Sequence, residues 1–133
     1  MKKIEHIGIA VKDLKVSNTC FSSLFGKPPY KTETVESEGV RTSFFEVGPH
    51  KVELLEGLSA ESPITKFIAS KGEGIHHIAF AVDDLAAEVQ RLKEEGFVVL
   101  NEQPRKGADN KWVVFLHPKS TNGVLVELCQ DAE

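Results

Sequence analysis

Hydrophobic and polar residues alternate with a period of two over residues 3–11, and this alternation predicts a strand. Asp13 then stands at a helix N-cap position, and the pattern predicts a short helix over residues 15–25 that ends at Gly26. Three strand-like stretches follow, over residues 28–35, 40–47 and 50–57. The first half of the chain is therefore predicted to be β-α-β-β-β.

The second half of the chain predicts the same order of elements. A strand over residues 76–82 precedes Asp84, and the apolar residues of a helix over 85–95 lie on one face before Gly96. Further strands are predicted over residues 97–102, 111–116 and 123–129. Between the halves, Ser62 as N-cap and Pro63 at the first helical position predict a short linker helix that closes near Gly72.

The two halves also share sequence. The segment His6–Leu14 (HIGIAVKDL) returns as His77–Leu85 (HIAFAVDDL), with six of nine positions identical, and Val-Glu-Leu follows in each half around Glu53 and Glu127. This repeat predicts an α+β fold in which two tandem β-α-β-β-β modules form a curved mixed sheet around a metal-binding cleft. We expect one domain over residues 1–133, with modules at about 1–60 and 74–130 and a linker helix at about 62–72.

Composition narrows the class of protein. The chain has 133 residues, 41% of them hydrophobic and 27% charged, with a net charge of −4. These values are typical of a single soluble domain and do not support a nucleic-acid surface. No apolar run is long enough to cross a bilayer, and the N-terminus lacks the apolar stretch of a signal peptide. With only Cys20 and Cys129, reduced thiols and a cytoplasmic location are expected.

The repeated histidines and glutamates predict a metal site. Strand alternation places His6 on the face of Gly8 and Ala10, and His77 on the equivalent face of the second module. A lone histidine or glutamate in such a position is more often structural. Sheet packing, however, gives no reason for two histidines and two glutamates (His6, Glu53, His77 and Glu127) to recur in equivalent places. Two imidazoles and two carboxylates suit a divalent ion such as Co, Ni, Mn, Zn or Fe. His76 is predicted to point to the opposite face and is not counted as a ligand.

At this point the residues resemble a known family. The doubled His-Ile-x-x-Ala-Val-x-Asp-Leu is similar to the vicinal-oxygen-chelate superfamily, which includes glyoxalase I. More narrowly, several stretches resemble the methylmalonyl-CoA epimerases, and together they cover nearly the whole chain. They are residues 6–14, 52–56, 62–68, 72–79 and 115–120, the last running into 123–128.

The resemblance implies an isomerase that interconverts (R)- and (S)-methylmalonyl-CoA by C2 proton abstraction through a metal-stabilised enolate. It implies one divalent metal ion held by His6, His77 and Glu127, with Glu53 at the fourth position. Glu127 and Glu53 are the expected catalytic residues. Lys119, Ser120 and Lys111 are weaker candidates for binding the CoA substrate, beside Arg105 and Lys106, and a homodimer is expected. Some epimerases carry a second glutamate base where this chain has Thr42, so the second acid/base stays open.

Two alternatives remain at the level of sequence. Glyoxalase I, a lactoylglutathione lyase, isomerises a glutathione hemithioacetal through similar proton transfers next to a metal-bound oxygen, so the four ligands do not separate it from an epimerase. A non-catalytic small-molecule binding module of the same fold is the second alternative. The complete set of four competent ligands argues against that module.

Overall fold

The computed structural model describes residues 1–132. Their contacts divide the chain into two compact units. One unit is His6–His76, and the other combines Met1–Glu5 with the chain from His77 onward. The first residues join the second unit through its first strand, since the Lys2 amide donates to the Ala81 carbonyl at 2.8 Å.

The unit His6–His76 has the predicted β-α-β-β-β order. Its elements are β1 (Lys3–Ala10, which begins in the other unit), α1 (Leu14–Phe25), β2 (Lys31–Val35), β3 (Val40–Val47), β4 (His50–Gly57) and α2 (Pro63–Lys71). The strands are ordered β2-β3-β4-β1, with β1 parallel to β4 and the other neighbours antiparallel. The sheet is therefore mixed, as the repeat predicted.

The unit that starts at His77 has the same arrangement. Its elements are β5 (Gly74–Ala81, which begins in the other unit), α3 (Leu85–Glu94), β6 (Arg105–Lys106), β7 (Lys111–Leu116) and β8 (Val126–Asp131). The strands are ordered β5-β8-β7-β6, with β5 parallel to β8. Short 3₁₀ turns occupy Glu36–Glu38, Ala108–Asn110 and Pro118–Ser120.

The helix boundaries match the cap signals in the sequence. The side chain of Asp13 accepts from the Val16 amide, and α1 ends at Gly26, whose φ of 74° suits a residue without Cβ. Asp84 and Ser62 cap α3 and α2 in the same way, by accepting hydrogen bonds from Ala87 and Ile64 amides. Asp13 and Ser62 are the N-caps that the sequence predicted.

Each long helix covers one face of its own sheet. In the first unit α1 packs on a core that contains the buried residues Val11, Leu14, Phe45 and Leu54. In the second unit α3 packs on Val114, Leu116 and Leu128 through its own Leu85, Val89 and Leu92. Full burial of such a side chain stabilises the fold by about 1.5–3 kcal/mol. Because side chains alternate along a strand, every second residue of each sheet points away from the helix, to the opposite face.

The strand predicted over residues 97–102 is wrong. The described structure has only an isolated bridge between Val99 and Leu116 there, and the edge strand β6 lies further along, at Arg105–Lys106. The side chain of Asn101 replaces backbone pairing: its Oδ1 accepts from the Phe115 amide at 2.9 Å, and its Nδ2 donates to the Val113 carbonyl at 3.2 Å. Backbone pairing with β7 is therefore interrupted at Asn101 and resumes at β6.

Two further strands start later than predicted. β2 begins at Lys31 and not at residue 28, because Pro28 and Pro29 have no amide to donate to a ladder. β8 begins at Val126 because Asn122 and Gly123, with φ of 55° and 86°, form a turn before it. Among residues 1–132, no helix is long and apolar enough to cross a membrane.

Candidate active site

His6 and Glu53 form a buried pair in the first unit. On β4 the neighbours of Glu53 face the α1 core, so the carboxylate points to the other side of the sheet, opposite Gly8 and Phe44 in the register. His6 Nδ1 lies 3.1 Å from Glu53 Oε2. The two residues are 4% and 5% exposed, so this pair is almost fully shielded from water.

His77 and Glu127 form the corresponding pair in the second unit. Glu127 lies on β8 opposite Ala79 and Phe115, on the face turned away from α3. His77 Nε2 lies 3.3 Å from Glu127 Oε1, and both residues are buried. Each unit therefore holds one of the repeated histidines against the repeated glutamate of its own half.

The chemistry of these pairs fits a divalent cation. A buried carboxylate is costly unless a positive charge or hydrogen bonds compensate it. Neighbouring ligand atoms on one ion, with bonds of about 2.0–2.2 Å, lie about 2.8–3.6 Å apart in octahedral or tetrahedral geometry. The nitrogen-to-oxygen distances of 3.1 and 3.3 Å fall in this range. His6, Glu53, His77 and Glu127 are each among the buried side chains that can serve as metal ligands.

Aromatic and basic side chains flank the second pair. The ring of Phe115 meets the His77 ring edge to face, with centroids 6.1 Å apart and planes at 84°. The Arg105 guanidinium lies over the Phe115 ring, 6.0 Å from its centroid. Arg105 is opposite Val113 in the register, so it shares the face that carries Glu127. The face that carries Glu127 therefore also carries a guanidinium, a group that pairs well with anions.

The other histidines have different surroundings. His76 packs against the Phe67 ring of α2, with centroids 4.9 Å apart, and burial together with the nearby Lys71 ammonium lowers its pKa from 6.5 to about 4. His117 Nδ1 accepts from the Lys119 amide and caps the 3₁₀ turn. His50 is exposed at the start of β4. The contacts of His76 and His117 are structural, and neither residue belongs to the two histidine–glutamate pairs.

The weaker substrate-binding candidates lie in the second unit and already have partners there. The Lys111 ammonium pairs with the Asp131 carboxylate and is largely covered. Ser120 Oγ donates to the His117 carbonyl at 2.9 Å and accepts from the Val98 amide at 3.3 Å. Lys119 precedes Ser120 in the same turn. These contacts shape the turn before β8, and binding of a substrate by these residues stays a prediction.

Thr42 is fully buried on β3, and within the described range its Oγ1 has no hydrogen-bond partner. The sequence had marked this position only because it lacks a carboxylate. Two other features escaped sequence analysis: the contact of Phe115 with His77, and the burial of Glu5 at 4% exposure. An alternating strand carries no signal that distinguishes Phe115 from any core aromatic residue.

Comparison with known proteins identifies the family. The family model for the Glyoxalase/Bleomycin resistance protein/Dioxygenase superfamily matches residues 5–115. The chain belongs to this superfamily. The predicted fold class, two tandem β-α-β-β-β modules of the glyoxalase/bleomycin-resistance type, is therefore confirmed.

Several relatives of this chain are epimerases. The ethylmalonyl-CoA/methylmalonyl-CoA epimerase of Cereibacter sphaeroides is 39% identical over 96% of this chain and 97% of that protein. The structure of a Streptomyces coelicolor methylmalonyl-CoA epimerase variant with 2-nitronate-propionyl-CoA is 35% identical, with a TM-score of 0.95 over 100% of this chain and 99% of that one. A methylmalonyl-CoA epimerase bound to methylmalonyl-CoA and NH4+ is 36% identical, with a TM-score of 0.95 over 99% of this chain and 96% of that one. The resemblance to this branch of the superfamily is confirmed.

Proposed function

We propose that the protein is a methylmalonyl-CoA epimerase that interconverts the (R)- and (S)-epimers by proton transfer at C2. The observation that carries this proposal is the full-length likeness, at 36% identity, to an epimerase solved with methylmalonyl-CoA. The two buried histidine–glutamate pairs supply the acid/base and ligand groups that such a reaction needs. The enzyme is accordingly an isomerase.

We propose that one divalent ion is held by His6, His77, Glu127 and Glu53. The support is chemical: these four side chains are buried, recur in both halves, and include nitrogen-to-oxygen spacings that suit a common ion. When bound, the ion would supply positive charge where negative charge develops on the thioester oxygen. The ligand set admits Co, Ni, Mn, Zn or Fe.

The protein's own residues would move the proton. In this proposal the Glu127 carboxylate takes the C2 proton, while the C–H electron pair delocalises into the thioester carbonyl to give the enolate. His77 orients that carboxylate, since its Nε2 lies 3.3 Å from Oε1. Glu53 is the expected second acid/base, which returns a proton to the opposite face of C2. Its carboxylate is held in place by His6, whose Nδ1 lies 3.1 Å away. Burial of both pairs excludes water, which strengthens the electrostatic stabilisation of the enolate.

Two assays on the metal-loaded protein test this proposal. One measures epimerisation of (S)-methylmalonyl-CoA, and the other measures isomerisation of the hemithioacetal of methylglyoxal and glutathione. We expect turnover of methylmalonyl-CoA only. Turnover of the glutathione adduct alone would replace the proposal with glyoxalase I. Activity on neither substrate, together with no divalent ion in the purified protein, would favour a non-catalytic binding module. Ethylmalonyl-CoA is assayed in parallel to define the acyl group.

The ligand assignment is tested by substitution. His6→Ala and Glu127→Ala are expected to abolish epimerisation and weaken metal binding, while far-ultraviolet circular dichroism stays that of the wild type. His50→Ala is the matched control, because His50 is exposed and outside both pairs. Unfolding of His6→Ala and Glu127→Ala would mean that these residues are structural. Full activity in either variant would show that the substituted residue is not part of the active site.

The proposal also covers the CoA-binding residues, the oligomeric state and the cellular location. Lys119, Ser120 and Lys111 are proposed to contact the CoA moiety, which KM measurements on their alanine variants test. A homodimer is proposed from the family resemblance, and light scattering measures it. The cytoplasm is proposed because Cys20 and Cys129 are both free thiols, and fractionation of expressing cells tests the location.

A further inference from the structure

Helix α1 presents apolar side chains to solvent. Val16 is 66% exposed and Leu24 is 68% exposed, the two largest exposed fractions among the large apolar side chains of residues 1–132. Cys20, halfway between them, is also exposed and has a free thiol. Residues four apart lie on the same side of a helix, so these three form one stripe, called here the α1 stripe. The residues that α1 contributes to its core, such as Leu14 and Phe21, lie on another face.

Helix α3 occupies the corresponding place in the second unit and has an ordinary solvent face. It carries four charged side chains, Glu88, Arg91, Lys93 and Glu94, whereas α1 carries only Lys15. Both helices come from the same repeat, so the fold does not require an uncharged outer face. An exposed apolar surface on one helix, where its counterpart is charged, indicates that another molecule covers it.

The order of residues in the α1 stripe suits pairing with a second copy of α1. In two antiparallel helices related by a two-fold axis at Cys20, residues equally far from Cys20 in the chain lie opposite each other. Val16 and Leu24 are each four residues from Cys20. Val16 of one copy therefore meets Leu24 of the other, and this contact forms twice. The antiparallel alignment also brings the positive end of one helix dipole near the negative end of the other.

The charges at the two ends of α1 are complementary in the same alignment. Asp13 and Lys27 are each seven residues from Cys20, and both residues are exposed. The antiparallel pair places Asp13 of one copy opposite Lys27 of the other, again twice. A parallel pair would instead bring like charges together at each end. The charges therefore favour the antiparallel alignment over the parallel one.

The distances of helix packing allow a close contact at Cys20. Packed helices have axes about 8–10 Å apart, and Cα atoms lie about 2.3 Å from each axis. Two Cys20 residues that face each other would then have Cα atoms about 4–5 Å apart, a distance that overlaps the range of about 4.4–6.8 Å found in disulfides. A cysteine at this position is small enough for close packing and also reports on the contact.

We infer that the protein forms a homodimer through α1, in which an antiparallel pair of these helices packs Val16 against Leu24 around a two-fold axis at Cys20. The inference names a contact surface for the homodimer proposed above and does not depend on the enzymatic activity. Two helices of 12 residues cover less than the about 1,200–2,000 Å² of a standard interface. The dimer is therefore weak, with an expected dissociation constant of about 10–100 μM.

The first test is sedimentation velocity of the full chain from about 1 to about 500 μM, which brackets the expected dissociation constant. The wild type is expected to shift from monomer to dimer over this range. Leu24→Glu buries a carboxylate in each half of the contact, and Lys27→Glu places a like charge opposite Asp13. Each variant is expected to raise the dissociation constant at least about tenfold. The matched control is Leu100→Glu, an exposed apolar position of the second unit, which should leave the constant unchanged.

The second test locates the two-fold axis. Mild oxidation with oxidised glutathione is expected to link two copies of the wild type through Cys20, which a non-reducing gel detects. Cys20→Ser should give no linked dimer, since the remaining thiol, Cys129, is buried. Leu24→Glu should give less linked dimer than the wild type at the same concentration. A dimer that forms in solution without a Cys20 disulfide overturns the placement of the axis, and the inference with it.

The outcomes distinguish this inference from the other proposals. A wild type that stays monomeric at every concentration overturns both the α1 contact and the homodimer. A dimer that Leu24→Glu and Lys27→Glu leave as strong as the wild type overturns the α1 contact alone. Failure of the epimerase assays would leave the α1 contact standing. Thermal unfolding identifies any variant that does not fold, and Lys27→Glu, which lies beyond the end of α1, keeps the test decisive if Leu24→Glu is unstable.

Discussion

The Leu85 amide at the start of α3 donates a hydrogen bond to Gln130 Oε1 at 2.7 Å. The first unit has the same bond, from the Leu14 amide to Glu56 Oε2 at 3.0 Å. Gln130 and Glu56 each follow the site glutamate of their strand by three residues. The bonds satisfy an amide that the helix itself cannot pair and tie the helix to the strand that carries Glu127 or Glu53.

Removal of the hydrogen bond between Leu85 and Gln130 should destabilise the second unit without changing the face of the sheet that carries Glu127. Gln130→Ala leaves the Leu85 amide without its acceptor, so we expect the free energy of unfolding to fall by about 1–2 kcal/mol in urea titrations. Gln130→Glu keeps an acceptor and places a negative charge at a helix N-terminus, which is favourable. It should unfold at or above the wild-type urea midpoint. Equal midpoints for the alanine variant and the wild type would contradict this role.

Elements fixed by local signals were predictable from sequence. β1, α1 and α2 follow from period-two alternation and from caps that act within a few residues: Asp13 and Ser62 each satisfy a nearby amide, and Gly26 adopts a left-handed conformation. The repeat also singled out the four residues of the buried pairs, since a histidine at one place in each half and a glutamate later on had no packing reason to recur. It did not predict that each histidine lies against the glutamate of its own half.

Features set by distant partners were not predictable. The apolar residues before Asn101 have a strand pattern, but the Asn101 side chain interrupts backbone pairing by bonding to backbone groups more than ten residues away. The side of the sheet that Thr42 occupies depends on its register with Leu55 on the neighbouring strand. The contact of Phe115 with His77 depends on the alignment of their two strands. Alternation gives two faces, and only tertiary pairing says which face meets which partner.

His76 should make stability depend on pH. Burial, with the Lys71 charge, lowers its pKa from 6.5 to about 4, so between these values the unfolded chain takes up a proton that the folded chain does not. This contribution is fully present above about pH 6.5 and is lost as pH falls. From pH 7.5 to 5.0 we expect a loss of about 2 kcal/mol. Urea unfolding of the wild type and His76→Gln, both with chelator present, measures the difference.

Two histidine variants separate the effect of the half-buried His76 ring from that of an exposed histidine. His76→Gln should lose less stability than the wild type on acidification, whereas His50→Gln should follow the wild type because it leaves the packing of His76 on Phe67 intact. Identical pH profiles for His76→Gln and the wild type would show that the buried ring does not control acid stability.

Gly57 should tolerate no side chain. It ends β4 beneath α2, and a Cβ at this position would overlap Thr65 Oγ1 and lie 3.0 Å from Ser62 Oγ. Gly57→Ala is expected to lower the free energy of unfolding by about 1–3 kcal/mol, the usual cost of overpacking. Adding Thr65→Ala removes the overlapping hydroxyl and should recover part of the loss. A double variant as unstable as the sum of its single changes would assign the loss to another cause.

Phe115 should tune the metal site through His77. Its ring packs against the His77 ring in a T-shaped contact, and residues that orient a ligand typically change metal affinity by 10–100-fold when replaced. Phe115→Leu keeps an apolar side chain but loses the flat ring. We expect Co affinity to fall by about tenfold, the low end because the contact is not a hydrogen bond. Competition with a coloured chelator measures this affinity.

The matched control for Phe115→Leu is Phe97→Leu, the same change on the opposite face. Phe97 packs against the α3 core and not against the pair of His77 and Glu127. Each substitution should cost up to about 1.5 kcal/mol in urea unfolding, so stability alone does not separate them. Only Phe115→Leu should weaken metal binding. Equal affinities for the two variants would mean that Glu127 and the strand, not the aromatic ring, hold His77 in position.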